Sequence, residues 1–422
     1  MKNLIIGAAL LLCILQVKAQ TPAPASTPPA KAEFKLIFEK VYLHTDRDVY
    51  AQGDTLWFKA YLINGQTNQP ANSSGNLYVE LISAGSAKIV NREIIRLDNG
   101  SGHGDMDIVD TLPAGKYTLR AYTNWMRNFG DNFIFEKEVT VLGENISKPV
   151  ATPNKTVPTK NNNSAAATAP SSTATPSPVI RFYPEGGSMV EGISSIVAVK
   201  AEDGYGKGIA VTGSILSGGG DTVARFNCDT LGMGLFAMLP VGGQTYHTVA
   251  NLVGEPKSGK TGLVVNLPAA LSKGPSLQIR QTDSVIHAIV STNDTLTGKP
   301  VYTIAIKHGG ITQLHQQLQM NGPQISARIA TGALPEGIAA ITLYDAKGKP
   351  ECERLVYIHH PGNAAKTIVT TNKKTYQPKE QVTVNITTQP NANLSMAVVD
   401  AGIVPEQAED IVSYLQLQSE VK

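Results

Sequence analysis

A chain of 422 residues with only 17% charged residues, 38 glycines and 25 prolines has the composition of a turn-rich β protein, which argues against a helical cytosolic enzyme. Its formal net charge is +2, and its lysines and arginines are scattered along the sequence. No basic stripe results, so we expect no nucleic-acid partner.

The N-terminus has the three parts of a signal peptide. Lys2 supplies the positive charge, residues 4–15 supply an apolar run, and residues 17–19 end in the small residue of a cleavage site. The apolar run is too short for a membrane span of about 20 residues. We therefore predict a cleaved signal peptide over 1–19 and no later transmembrane segment. A lipoprotein site at Cys13 is disfavoured because a bulky leucine precedes it.

Two stretches have the composition of flexible linkers. Residues 20–33 are rich in proline and alanine, and residues 144–178 are rich in alanine, serine, threonine and proline. Such segments bury too little apolar surface to compensate for the conformational entropy lost on ordering. They divide the chain into separate folded blocks.

A Leu-Pro-x-Gly motif occurs three times, at residues 112–115, 239–242 and 334–337, each time before a β-like run. Proline cannot donate a ladder hydrogen bond and glycine permits positive φ, so each copy predicts a turn between two strands. Recurrence at domain-length spacing predicts one β-sandwich used repeatedly. The predicted sandwiches cover residues 34–143, 179–267 and 275–361.

A second internal match joins the first block to the last. Residues 45–58 align without gaps on residues 371–384, and a threonine, a basic residue, a tyrosine and an acidic residue recur at identical spacing. In the first block Leu56, Phe58, Ala60 and Leu62 form an alternating run, which predicts a strand with one face in the core and the other in solvent. We therefore predict that residues 365–400 repeat the start of the first domain and form an incomplete β domain.

The last segment, residues 405–422, has the pattern of an amphipathic helix. Proline and acidic residues lie near its start, and apolar residues follow at helical spacing. These apolar residues are Ile411, Tyr414, Leu415 and Val421. Because no later segment covers them, we expect this helix to fray or to dock on the fourth block or on another copy, as in the front part of a longer protein.

Known catalytic and cofactor motifs are missing from the sequence. Cys228 and Cys352 fall in different predicted domains, which favours two buried free thiols over a disulfide. Residues 98–107 have the oxygen-rich glycine pattern of a calcium loop, but an ordinary hairpin is favoured. Residues 218–220 favour a hairpin over a phosphate loop. We expect a protein that is not an enzyme, with no catalytic residue, cofactor or metal.

One aromatic segment is the candidate partner surface. It contains Tyr122, Trp125, Met126 and Phe129, and Phe133 and Phe135 follow. Clustered aromatic side chains are typical of protein-binding hot spots. The alternative is a sandwich core with a loop packed against the neighbouring domain.

Several motifs together resemble a known family. The sequence at 42–47, Tyr50, residues 53–55 and residues 58–62 resembles the opening of the macroglobulin domain of alpha-2-macroglobulin-like proteins. Residues 119–128, 182–187 and 353–356 are similar to a Bacteroidota branch whose members often continue into a plug domain of TonB-dependent receptors. The resemblance implies tandem immunoglobulin-like sandwiches of macroglobulin type.

The resemblance also implies an activity that the cysteines do not support. Classical members of this family trap proteases with a thioester between a cysteine and a glutamine three residues later. The residue three positions after each mature cysteine is Leu231 or Leu355, so neither cysteine can form that ring. Covalent capture is therefore not expected.

The sequence thus predicts an exported protein of the periplasm or outer membrane that contacts proteins or ligands, with an outer-membrane receptor of a TonB-dependent uptake system as the expected partner. The alternative is a thioester-free endopeptidase inhibitor with a protease as partner. Residues 144–178 then serve as a bait region rather than a linker.

Overall fold

The computed structural model is almost entirely antiparallel β-sheet, with one short α-helix near the C-terminus. It describes residues 37–143, 177–254, 262–294, 300–362, 365–403 and 410–421. The predicted all-β fold of tandem immunoglobulin-like sandwiches with a short C-terminal helix is confirmed. The predicted signal peptide, nearly all of both predicted linkers and the start of the predicted helix lie outside the described residues.

The first sandwich consists of two sheets formed by nine strands. In the first sheet β3 lies between β1 on one side and β4 and β7 on the other, and the second sheet has the order β2-β9-β8-β5-β6. The strands are β1 (Glu39–Thr45), β2 (Val49–Ala51), β3 (Thr55–Asn64), β4 (Gln69–Pro70), β5 (Asn76–Ser83), β6 (Ile89–Arg96), β7 (Ser101–Asp107), β8 (Gly115–Tyr122) and β9 (Phe135–Leu142).

The second and third sandwiches repeat one strand order. The second has sheets β10-β11-β14 and β13-β12-β15-β16, and the third has sheets β17-β18-β21 and β20-β19-β22-β23. The second sandwich contains β10 (Val179–Pro184), β11 (Ser195–Glu202), β12 (Val211–Ser217), β13 (Thr222–Asn227), β14 (Met233–Met238), β15 (Tyr246–Leu252) and β16 (Leu263–Asn266). The third contains β17 (Pro275–Gln281), β18 (Val285–Thr292), β19 (Val301–His308), β20 (Ile311–Gln319), β21 (Gln324–Ala330), β22 (Gly337–Tyr344) and β23 (Pro350–Ile358).

Each sandwich encloses its own apolar core between its two sheets. In β3 every second side chain points inward, and Leu56, Phe58, Ala60 and Leu62 are all buried. The alternation follows from the two-residue period of a strand. The predicted core-facing residues of this strand are confirmed.

The three Leu-Pro-x-Gly motifs occupy equivalent places in the three sandwiches. They lie between β7 and β8 in the first sandwich, between β14 and β15 in the second, and between β21 and β22 in the third. In the first copy the Tyr117 hydroxyl donates to the Pro113 carbonyl oxygen at 2.6 Å, which fixes the turn. The predicted turns are confirmed.

The favoured hairpin interpretation is confirmed for residues 218–220 and only in part for residues 98–107. Asn99 and Gly100 have φ values of 46° and 71° in a tight turn closed by Asp98 and Ser101, but the flanking strands β6 and β7 belong to different sheets, so this turn connects the two sheets of the first sandwich. Residues 218–220 join β12 to the antiparallel β13. Cys228 and Cys352 are buried free thiols in two different sandwiches, and burial raises the pKa of the Cys352 thiol to about 11.

The fourth block forms a two-stranded hairpin of β24 (Ile368–Thr371) and β25 (Val384–Thr387). Its register pairs Thr371 with Val384, and β1 and β3 pair Thr45 with Phe58 at the matching positions. The internal match read from the sequence is therefore an equivalence of structure. We call β24 and β25 with their connection the C-terminal hairpin.

The two copies share their hydrogen bonds as well as their register. The Trp57 amide donates to the Asp46 carboxylate at 3.0 Å, and the equivalent Thr383 amide donates to the Asn372 side-chain oxygen at 3.0 Å. The Tyr50 hydroxyl likewise donates to Asp46 at 2.8 Å, and the matching bond from Tyr376 to Asn372 is 2.6 Å long.

Helix α1 (Ile411–Gln416) is shorter than the predicted segment and lies elsewhere than expected. The Asp410 side chain accepts from the Ser413 amide in a capping box. Tyr414 and Leu415 are buried in the core of the first sandwich. The expectation that this helix frays or docks on the fourth block is therefore wrong, because Tyr414 packs against Tyr42 and Phe135 of the first sandwich and Leu415 joins the same core.

Candidate functional site

An aromatic cluster lies at one end of the first sandwich, where the β8–β9 connection meets the start of β1. It consists of Phe38, Trp125, Phe129 and Phe133. The Phe129 ring centroid lies 4.9 Å from that of Phe38, 5.7 Å from that of Trp125 and 5.8 Å from that of Phe133. Trp125 is 37% exposed and Phe133 is 38% exposed, so the cluster keeps an accessible apolar face.

The cluster is held in place by the local chain. The Trp125 indole Nε1 donates to the Ile37 carbonyl oxygen at 2.7 Å, which fixes the indole against the start of β1. Two short 3-10 turns, Met126–Phe129 and Asp131–Phe133, place both phenylalanines on the same side. Because the rings support one another, little rotamer entropy is left to lose on binding.

Only some residues of the predicted partner surface are exposed to solvent. The prediction is wrong for Tyr122 and Met126, which are buried. Tyr122 ends β8 with its ring stacked on Tyr78, and Met126 turns inward from the first 3-10 turn. For Trp125 and Phe129 the assignment stays a prediction.

A buried carboxylate holds Tyr122 in its buried position. Glu80 on β5 is fully buried and accepts a hydrogen bond from the Tyr122 hydroxyl at 2.9 Å. Arg92 and Arg120 form ion pairs with its two oxygens at 2.5 and 2.6 Å. Burial alone would raise the pKa of Glu80, but the hydrogen bonds from Arg120, Tyr122 and Arg92 hold it below its ordinary value. Sequence reasoning missed this group, because Glu80 and its partners come from three strands, β5, β6 and β8.

The third sandwich contacts the first beside the aromatic cluster. A side-chain carbon added at Gly310, in the β19–β20 turn, would lie 3.4 Å from the Phe38 ring. The Gln66 amide donates to the Gly309 carbonyl oxygen at 3.0 Å, and the Asn68 amide donates to the Glu336 carbonyl oxygen at 3.2 Å. The cluster therefore sits next to an interdomain contact.

Helix α1 lies at the same contact. The Lys40 ammonium donates to the Leu415 carbonyl oxygen at 2.8 Å and forms an ion pair with Glu420. On the other side, the Tyr357 hydroxyl of the third sandwich donates to the Gln416 side-chain oxygen at 2.8 Å. The helix thus bridges the first and third sandwiches.

Two of the sequence motifs meet between the second and third sandwiches. Glu185 of the Phe-Tyr-Pro-Glu-Gly-Gly motif accepts from the Ile279 amide at 3.0 Å and lies 3.5 Å from the Arg354 guanidinium. The Glu353 amide donates to the Gly186 carbonyl oxygen at 3.3 Å. Gly186 has a φ of +83°, and a Cβ there would lie 2.9 Å from the Leu277 carbonyl oxygen. These motifs form a structural joint.

No group of three His, Cys, Asp or Glu side chains suited to a metal ion occurs among the described residues. In the same part of the chain, no helix is long and apolar enough to cross a membrane. The described residues form an exposed aromatic cluster and hydrogen-bonded contacts between sandwiches.

Comparison with known families gives one match. The sequence model of the MG2 domain family matches residues 40–139, which are nearly the whole first sandwich. The chain is therefore a protein with a macroglobulin domain, and the resemblance seen in its opening motif is confirmed at this level. A search of curated proteins gives no match.

Solved structures that the chain matches include alpha-2-macroglobulins. One is Escherichia coli alpha-2-macroglobulin activated by porcine elastase, with 12% identity over 83% of this chain and 33% of that chain, and a TM-score of 0.27. A Salmonella alpha-2-macroglobulin mutant has 10% identity over 82% of this chain and 25% of that chain, with a TM-score of 0.21.

Dimeric latent PorU from Porphyromonas gingivalis is also similar, with 10% identity over 76% of this chain and 34% of that chain, and a TM-score of 0.30. The chain spans about a quarter to a third of the length of these three proteins.

Proposed function

We propose that this chain is an exported, non-enzymatic β-sandwich protein that binds another protein through the aromatic cluster of its macroglobulin domain. The observation that carries the proposal is the accessible face of that cluster. Trp125 and Phe133 keep more than a third of their surface exposed in the folded chain. Aromatic anchors held in fixed positions are the residues that most often dominate protein–protein binding energy.

The surroundings of the cluster support the same proposal. Arg127, Asn128 and Asp131 are exposed around the rings. An apolar centre with a polar rim is the usual anatomy of a protein–protein interface. The Trp125 hydrogen bond and the ring contacts keep the apolar centre preformed, so binding orders few side chains.

We place this function in the periplasm or at the outer membrane of a Bacteroidota cell, with a receptor of a TonB-dependent uptake system as partner. The pattern of a signal peptide over 1–19 supports export, and the motifs at 182–187 and 353–356 support the Bacteroidota branch. Inhibition of an endopeptidase without a thioester stays an alternative prediction, because residues 144–176 lie outside the described part of the chain.

Site-specific photocrosslinking tests the surface. A photoreactive amino acid placed at Phe133 of the full chain, expressed in its native cell envelope, should give one discrete crosslinked product. The same probe at Tyr205 of the second sandwich, which is 79% exposed, should not give that product. Replacing Trp125 by alanine should remove the product at position 133. Identical products from both positions, or no product at Phe133, would contradict the proposal.

A further inference from the structure

A groove of about 540 Å³ lies on the outer face of the third sandwich, in the sheet β20-β19-β22-β23. A cavity of this volume accommodates a small ligand. Its lining consists of side chains from β19, β20 and β22 and of the turn that follows β22. These residues are Thr303, Ala305, Lys307, Thr312, His315, Tyr344 and residues 345–348.

The strand sequence explains why the sheet is hollow at this point. Ala305 lies on the outer face of β19, because Ile304 and Ile306 on either side of it are buried in the core. Its cross-strand neighbour on β20 is His315, and Tyr344 on β22 lines the other side. The floor of the groove is therefore a small side chain, and its walls are larger ones.

The groove presents positive charge. The Lys307 ammonium donates to the Tyr344 hydroxyl at 3.0 Å and lies 5.6 Å from the centroid of its ring, so it is held against one wall. Among the described residues, neither Lys307 nor Lys347 forms an ion pair with a carboxylate. His315 is exposed and adds a further positive charge when protonated. Both ammonium groups are thus free to pair with a ligand.

The acidic residue of the lining is already engaged. The Asp345 carboxylate accepts hydrogen bonds from the Lys347 and Lys349 amides, both at 2.8 Å, which close the turn after β22. Amide donors offset the charge of a carboxylate. The Lys349 ammonium lies outside the lining and forms an ion pair with Glu351 at 2.9 Å. The groove therefore complements an anion rather than a cation.

The remaining side chains indicate the rest of the ligand. Thr303 is half-buried and Thr312 is exposed, and neither hydroxyl forms a hydrogen bond within the described part of the chain. Each hydroxyl can both donate and accept. No large aliphatic side chain belongs to the lining, which argues against an apolar ligand.

We propose that this groove binds a small anionic ligand with a hydroxylated body. A carboxylate or phosphate group of the ligand pairs with Lys307, and its hydroxyl groups bond to Thr303 and Thr312. The site shares no residue with the aromatic cluster and does not depend on the function proposed for that cluster.

Three sugars of similar size test the proposal by isothermal titration calorimetry with the full chain at low salt. Glucuronate carries a carboxylate, glucose 6-phosphate carries a phosphate, and glucose is neutral. At least one acidic sugar should bind at least about tenfold more tightly than glucose, which corresponds to 1.4 kcal/mol. The tighter of the two acidic sugars identifies the anionic group. Raising the salt to about 0.5 M should weaken its binding, because salt screens exposed charges.

Two matched variants locate the site. Lys307→Met keeps the length of the side chain and removes its charge, so it should weaken binding of the acidic sugar at least about tenfold. Lys349→Met removes a charge that is already paired with Glu351, and its amide can still bond to Asp345. This control should change binding less than about twofold.

Three results would overturn the proposal. The first is no binding of either acidic sugar at about 10 mM. The second is glucose binding as tightly as the acidic sugars, which would make the positive charge irrelevant. The third is an equal loss of binding in Lys307→Met and Lys349→Met, which would place the ligand outside the groove.

Discussion

The two copies of one motif, residues 42–61 and residues 368–387, have the same backbone pairing and opposite burial. Both close their turn through a tyrosine hydroxyl and a main-chain amide that donate to one side chain, Asp46 in the first copy and Asn372 in the second. Tyr50 is completely buried, and Tyr376 is half-buried. The difference arises from the sheet that packs on the first copy.

This comparison separates local from long-range causes of structure. The turn forms wherever the short motif occurs, because its donors and acceptors lie within 12 residues of one another. Burial instead requires β5, β8 and β9, which follow the first copy in sequence and cover its inner face. A hairpin without that cover is stable only to a small extent in water.

The largest expected effect comes from truncating Leu56 in the first copy, and its equivalent in the second copy, Val382, gives the comparison. Leu56→Ala should lower the free energy of unfolding of the first sandwich by about 2–5 kcal/mol, because Leu56 is completely buried. Both tryptophans of the chain, Trp57 and Trp125, lie in this sandwich, so urea unfolding followed by tryptophan fluorescence reports on it alone.

The matched variant Val382→Ala should change the opening free energy of residues 368–387 by less than about 0.5 kcal/mol, since Val382 is 48% exposed. Hydrogen exchange of that segment measures it. Similar losses in the two variants would mean that the second copy is covered as well as the first.

Helix α1 gives an intermediate effect. Leu415→Ala should lower the free energy of unfolding of the first sandwich by about 1–3 kcal/mol, because Leu415 is buried against its core. Leu417→Ala, at a position that is 40% exposed, is the matched control and should leave the tryptophan-detected transition in place. An unchanged transition in Leu415→Ala would place the helix outside that core.

Much of the fold could be predicted because it depends on short-range patterns. A few neighbouring residues determine each of three features: the Leu-Pro-x-Gly turns, the alternation in β3, and the match between residues 45–58 and 371–384. The docking of Tyr414 and Leu415 could not be predicted in this way, since their groove contains Tyr42 and Phe135 from distant strands.

The candidate surface could be predicted only in part, because contacts between distant residues decide which of its side chains are exposed. The aromatic segment is visible in the sequence, but which of its side chains are buried depends on Glu80 and on two 3-10 turns. The contact of Glu185 with Arg354 could not be predicted from the sequence either. Both of its motifs stood out in the sequence, yet only the packing of two sandwiches brings Glu185 to Arg354.

The smallest effect concerns the link between the two copies. The His44 Nδ1 atom on β1 lies 2.6 Å from the Ser395 hydroxyl, which follows the C-terminal hairpin. Burial, and then the positive charge of Lys137, lower the pKa of His44 below 6.5, although Asp48 and Asp46 oppose this. The folded state therefore binds a proton less readily than the unfolded state, so the link is at full strength above about pH 6.5 and weakens as the pH falls through the lowered pKa.

Hydrogen exchange of residues 393–395, corrected for intrinsic rates, should accordingly show faster opening at pH 5.5 than at pH 7.5. His44→Gln, which does not titrate, should remove most of this pH dependence. Faster opening as the pH rises would contradict the assigned sign.

The central claim is that identical local structure has unequal protection in the two copies. Native-state hydrogen exchange of the unmodified chain tests it directly by comparing residues 42–61 with residues 368–387. We predict an opening free energy of at least about 5 kcal/mol for the strands of the first copy and of no more than about 2 kcal/mol for those of the second. Equal opening free energies in the two copies would contradict the account.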